Sequence, residues 1–139
     1  MQKMMILKES ISNILEEMFF LVEETPTPEE EWIFDFCTHI EADDFLIKIL
    51  ISKNLAQEIT VNFLGLADEP ETEDITDCLQ EILNMVTGNF VGLAYPDHKK
   101  LLPFPACKPC SNKSVKNDGF EEEFLFYHEQ AIKILFKNK

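Results

Sequence analysis

Glycine is scarce in this 139-residue sequence: there are four, Gly65, Gly88, Gly92 and Gly119, and none belongs to a glycine-rich loop. A P-loop or dinucleotide fingerprint needs clustered glycines where backbone meets phosphate, so both are excluded. The three histidines, His39, His98 and His128, lie far apart. None forms the His-x-x-x-His pair of a zinc hydrolase. There is no G-x-S-x-G elbow for a nucleophilic serine. No stretch approaches the roughly 20 apolar residues that span a bilayer. Glu9, Glu16 and Glu17 break the amino-terminal apolar run too early for a secretion signal.

Cysteine is also thin. Four residues, widely scattered, do not make a disulfide framework in a chain of this size. Cys107-Lys108-Pro109-Cys110 is a C-x-x-C pair, but Cys37 and Cys78 do not supply the second pair of a zinc ribbon. Pro103 and Pro105 before it and Pro109 within it place it in a loop, away from the strand–helix junction of a thioredoxin-like motif. Structural thiols are the plain reading of Cys107 and Cys110. An intermolecular zinc half-site or redox control is the other. The sequence reads as a cytoplasmic protein.

Positive charge is short as well, with 12 basic against 26 acidic residues and a net charge of −14. That balance argues against a nucleic-acid backbone or an anionic membrane as partner, since both attract lysine and arginine. A basic or mixed-charge protein partner is compatible with it.

What the chain does have is apolar bulk: 45 % hydrophobic residues and 12 phenylalanines, enough for one folded domain over residues 1–139. Residues 6–23 show helical spacing through Ile11, Ile14, Leu15, Met18, Phe19 and Val22, with Pro26 and Pro28 as the stop. Residues 32–42 and 45–51 are strand-like and flank the turn at Asp43-Asp44. Residues 52–64 return to helical spacing, and Gly65 ends them. Residues 68–73 read as an acidic surface loop preceding a helix over about 74–93, whose positive dipole end they complement. Residues 95–119 read as a loop around a short extended piece near 101–104. Residues 120–128 and 130–136 form a second hairpin, with Phe124, Phe126, Ile132, Ile134 and Phe136 alternating at period two. The order predicts an α+β fold, helices packed on an antiparallel sheet, with no repeat and no dividing linker.

One helix face is chemically narrow. At about 100° per residue, Asp77, Glu81 and Asn84 fall within roughly 60° of arc, and Gly88 projects into the same arc. Ile75, Leu79, Ile82, Leu83, Val86 and Phe90 take the opposite side. The stripe has the form of a solvated helix face. It also offers a carboxylate that can pair with a cation and a carboxamide that can orient water. No nucleophile or metal-ligand set accompanies them, so the pair makes most sense inserted into a site that another molecule completes.

Here the sequence resembles the CheC/CheX/FliY group of response-regulator phosphatases. The group's motif is Asp or Ser, three residues, Glu, two residues, Asn, with a proline further on. Asp77-x3-Glu81-x2-Asn84 matches it, and Met85-Val86-Thr87-Gly88-Asn89 is also family-like. The likeness extends from the Leu15-Glu16-Glu17-Met18-Phe19-Phe20 helix to the closing strands, although only residues 77–89 are specific. Neither Ser10 nor Ser12 starts a second copy, because Glu and Asn do not follow in register. One site points toward CheX, in place of the two-site CheC. The family proline would fall at Cys107, whereas Pro105 and Pro109 flank that position.

The resemblance implies two long central helices, one bearing the site, and a phosphorylated CheY-like receiver domain as substrate. It implies that the receiver supplies Mg²⁺ and an active-site lysine, with no cofactor or metal of the chain's own. Glu81 would pair with that lysine, and Asn84 would hold the attacking water. Asp77 would support the helix or the interface, and Gly88 would let the receiver backbone come close. A homodimer is expected, with exposed sheet edges as a physical route. A non-catalytic module that binds a receiver or the flagellar switch is the alternative.

Overall fold

The structure, a computed structural model, describes residues 2–25, 33–96, 108–109 and 119–139. Among the described residues eight elements follow the predicted order: α1 (Gln2–Phe19), β1 (Phe36–Glu41), β2 (Phe45–Ile51), α2 (Lys53–Leu64), α3 (Thr72–Ala94), β3 (Lys108–Pro109), β4 (Glu121–Tyr127) and β5 (Gln130–Asn138). The strands form one antiparallel sheet in the order β3-β1-β2-β5-β4. The fold class is α+β. Trp32, His98, the extended piece near 101–104, Cys107 and Cys110 lie outside the described residues.

The pleat decides which face is covered. Phe45, Ile47, Ile49 and Ile51 of β2 and Ile132, Ile134 and Phe136 of β5 join the helices in one core, at the period of two that a half-buried strand requires. Leu50 and Leu135 point the other way, where they meet Cys37, Phe34 and Phe120. The helices therefore cover a single face. Within that layer α1 and α2 both pack on α3, and α3 also reaches β1.

Several boundaries differ from expectation, among them the start of β1, which is Phe36 and not residue 32. The first helix begins at Gln2, because Met4 and Leu7 are core residues, and it stops at Phe19, well before the prolines. Phe20 takes the left-handed conformation, φ 56°, which turns the chain. The Phe20 N–H then donates to Glu16 O at 3.0 Å and the Leu21 N–H to Leu15 O at 3.1 Å. The Phe20 bond is the 5→1 bond of an αL closure, with phenylalanine where glycine is usual. The acidic loop is shorter than expected, since Thr72 and Glu73 already belong to α3. On β4 the face is reversed: Leu125 and Tyr127 fill the core, while Phe124 and Phe126 stack at 6.1 Å on the outer side and are half-buried.

Both hairpins form as expected. Ala42 N–H donates to Phe45 O across the Asp43-Asp44 turn. His128 and Glu129, at φ 49° and 62°, make a two-residue turn of the kind that matches strand twist. Glu24 ties this end of the sheet to the chain after α1: its N–H donates to Phe126 O, and its side chain accepts the His128 N–H. Gly65, φ 64°, ends α2 as predicted, its N–H bonded to Val61 O.

Candidate functional site

The site helix is held from both ends. At its start Glu71 and Asp74 form a capping box, each side chain accepting the other's backbone N–H, so two otherwise orphaned donors are satisfied. Glu73 and Asp74 also set negative charge against the positive end of the dipole. Near the far end Phe90 is fully buried in an aromatic cluster. Its ring meets Phe45 and Phe136 edge-on, each at 5.5 Å, and Tyr95 at 5.9 Å. Burying one such ring contributes about 1.5–3 kcal/mol, so the rotation of α3 about its own axis is firmly set.

That rotation decides what faces out. Ile75, Leu79, Ile82, Leu83, Val86 and Phe90 are buried, as the periodicity predicts, and Cys78, Thr87 and Val91 join them. Thr87 meets its polar need locally, donating to Leu83 O at 2.7 Å. Asp77, Glu81 and Gly88 are exposed, and Asn84 is half-buried between the outer face and the core. All four predicted site residues thus share one outward arc, Glu81 and Asn84 lying about 4.5 Å apart along the axis. Among the described residues neither Asp77 nor Glu81 forms an ion pair.

The two glycines of the helix carry a further signal. A Cβ built on Gly88 or Gly92 meets no atom within 4 Å. Among the described residues nothing requires glycine there, yet each costs an exposed helix roughly 1 kcal/mol relative to alanine. Gly92 escaped the motif search. It lies one turn beyond Gly88 and roughly 60° around from Asp77, so the i, i+4 spacing was the available clue. The arc therefore runs from carboxylates through a carboxamide to two bare backbone positions.

The thiols fall elsewhere. Cys78 is free and buried against the core, where burial pushes its thiol pKa up. Such a thiol is unreactive. Cys37 is disulfide-bonded, although four scattered cysteines make no disulfide framework. Among the described residues no group of three or more His, Cys, Asp or Glu side chains could hold a metal ion. No helix among them is long and apolar enough to cross a membrane.

Comparison with known proteins places this arrangement. The family model of the chemotaxis phosphatase CheX matches residues 44–103, the span that contains β2, α2 and the whole of α3. No curated protein matches the chain. The chemotaxis protein CheX of Vibrio vulnificus superposes with a TM-score of 0.69 at 20 % identity, over 99 % of this chain and 97 % of that one. CheX of Borrelia burgdorferi, solved with CheY, BeF3 and Mg²⁺, gives 0.68 at 15 % identity over 98 % and 97 %. A CheC-like protein of Shewanella sp. PV-4 gives 0.66 at 22 % identity, covering 97 % of each. The structures share the fold across nearly the full chain. The likeness to CheX in sequence covers the segment that holds the site.

Proposed function

We propose that this protein accelerates hydrolysis of the aspartyl phosphate on a CheY-like receiver domain. The observation that carries the reading is the outward arc of α3, where Glu81, Asn84 and an open Gly88 share one face with no nucleophile of their own. The CheX match over residues 44–103 and the CheX–CheY complex from Borrelia burgdorferi support a receiver as the occupant.

The receiver brings its own Mg²⁺, which neutralises phosphoryl charge when bound. The residues of this chain bind and orient. Glu81, exposed and unpaired among the described residues, takes the receiver's active-site lysine as its partner and sets the docking register. The Asn84 carboxamide reaches the phosphoryl group and holds a water in line with the bond to be broken. The water oxygen forms a bond to phosphorus and the receiver's aspartate oxygen leaves with the electron pair. The water's protons pass to phosphate and solvent, and the free aspartate is restored. Positioning one water accounts for roughly 100-fold in rate. Asp77, one turn before Glu81, supports the interface, and Gly88 admits the receiver backbone.

The test is phosphate loss from a phosphorylated receiver in the presence of Mg²⁺, with wild type and with Asn84→Ala. We expect the variant to lose most of the acceleration while still binding. Equal rates would remove Asn84 from the mechanism. Glu81→Ala should weaken docking, and an unchanged affinity would contradict the salt bridge. Tight binding by wild type with no acceleration would establish the non-catalytic module instead.

A further inference from the structure

We propose that Phe20 is a second anchor for the receiver: a fixed aromatic knob with an acidic rim, which enters an apolar socket bordered by lysine or arginine on that partner. Three local choices at the end of α1 work against the free chain. Phe20 holds a left-handed backbone, φ 56°, where its Cβ crowds the following carbonyl and glycine is the usual residue. Its side chain is 88 % exposed, and Val22 at 64 % and Met18 at 44 % extend the apolar surface beside it. Glu16 and Glu17 stand in the last turn of α1, at the negative end of the helix dipole, where lysine would stabilise. Folding alone selects against each of these, and local rules broken together at one place mark a functional surface.

The knob is held rigidly. Leu21, between the two most exposed residues, is buried, and its N–H donates to Leu15 O at 3.1 Å. Just beyond Val22, the Glu24 N–H donates to Phe126 O at 2.7 Å, and the Glu24 carboxylate accepts the His128 N–H. Phe20 and Val22 are thus set outward by bonds on either side, so docking orders little that was loose.

Position in the fold selects the occupant. The Lys3 ammonium lies 4.3 Å over the Tyr95 ring, so α1 starts where α3 ends. Farther along, Ile11 and Leu15 line one small cavity with Leu79, Ile82 and Leu83. The two helices therefore run antiparallel, and equal steps from Lys3 and from Tyr95 bring Phe20 level with the turn between Asp77 and Glu81. Packed helix axes lie about 8–10 Å apart, and a typical partner covers about 800 Å², roughly 30 Å across. A receiver docked on Glu81 and Asn84 therefore spans the end of α1 as well. The rim gives its chemistry: Glu16, Glu17 and Glu23 are exposed beside the apolar residues and call for cations opposite. A second copy of this chain in a two-fold contact would set these carboxylates against themselves.

The inference takes its partner from the phosphatase reading, and the experiment separates the two. A CheY-like receiver loaded with beryllium fluoride and Mg²⁺ is titrated against wild type, Phe20→Gly, Phe20→Asn and the double variant Glu16→Lys/Glu17→Lys. Turnover of phosphorylated receiver and sedimentation are followed on the same samples. Glycine and asparagine both accept the left-handed backbone, so the Phe20 variants keep the fold. Each should weaken receiver affinity at least about tenfold, the lower end of what burying one phenylalanine side chain contributes, with the loss appearing in KM. The charge reversal suits the helix dipole, and it should weaken affinity at least about threefold at low salt and less at high salt. Phe20 variants that bind like wild type, while Asn84→Ala loses turnover, overturn the anchor and leave the phosphatase reading standing. A wild-type protein that does not bind the receiver overturns both. A fall in sedimenting mass on Phe20→Gly at unchanged receiver affinity gives the surface to a second copy and overturns the assignment. Full affinity in the charge-reversed protein overturns the basic rim.

Discussion

Gly88 gives the sharpest separation between a helix face that is merely solvated and one shaped for a partner. Replacing it with alanine adds a methyl group that meets no atom within 4 Å, so the folded chain pays no steric cost. It also removes the entropic cost of glycine in a helix interior, a gain of about 1 kcal/mol. For 139 residues, an unfolding entropy near 2 cal/mol/K per residue turns that gain into a rise of roughly 3 °C in melting temperature. The functional effect has the opposite sign. If a receiver backbone lies against the Asn84–Gly88 turn, a larger side chain holds it off, and Gly88→Leu should weaken receiver affinity by at least about tenfold, equivalent to 1.4 kcal/mol. Two assays on the same samples decide the matter: thermal unfolding, and the rate of receiver dephosphorylation as a function of receiver concentration. Higher stability combined with poorer docking means that glycine is kept for the partner. A Gly88→Leu protein with wild-type affinity would refute the close approach. A Gly88→Ala protein that melts lower would refute the open environment from which the magnitude was worked.

Three other outcomes follow from the fold. Glu129→Gly relieves a residue held at φ 62° in the β4–β5 turn and should raise stability by about 1 kcal/mol, read as a higher denaturant midpoint at unchanged slope. Burial pushes the Tyr127 hydroxyl pKa up to about 12 from its ordinary 10. The folded state thus keeps a proton that the unfolded state gives up, so stability falls as pH rises from about 10 toward 12, and Tyr127→Phe should remove that part of the alkaline loss in pH-dependent unfolding. Any self-association through sheet edges is expected to avoid the β4 edge, which carries Glu121, Glu122 and Glu123 and is capped at Phe126 O by the Glu24 N–H. Sedimentation should therefore give the same mass for wild type and Glu121→Lys, and a change of mass would place the interface on that edge.

The parts of the molecule that were legible in the sequence are those where one periodicity governs. In α3 the apolar positions recur at 3.6 residues over more than four turns, and the outward arc of Asp77, Glu81, Asn84 and Gly88 follows from the inward one. Where two signals compete, reading fails in a physical way. Pro26 and Pro28 looked like the stop for α1, but a backbone closure at Phe20 ends it first, and left-handed phenylalanine has no sequence signature. On β4 the phenylalanines alternate at period two, as the core residues of β5 do. Leu125 and Tyr127 are buried in their place, because the register with Ile132 and Gln130 fixes the face and residue size does not. The site shows both limits at once. Periodicity identifies an exposed carboxylate and a half-buried carboxamide but carries no information about what meets them. The two glycines add one signal: each weakens the helix, and neither relieves a contact among the described residues.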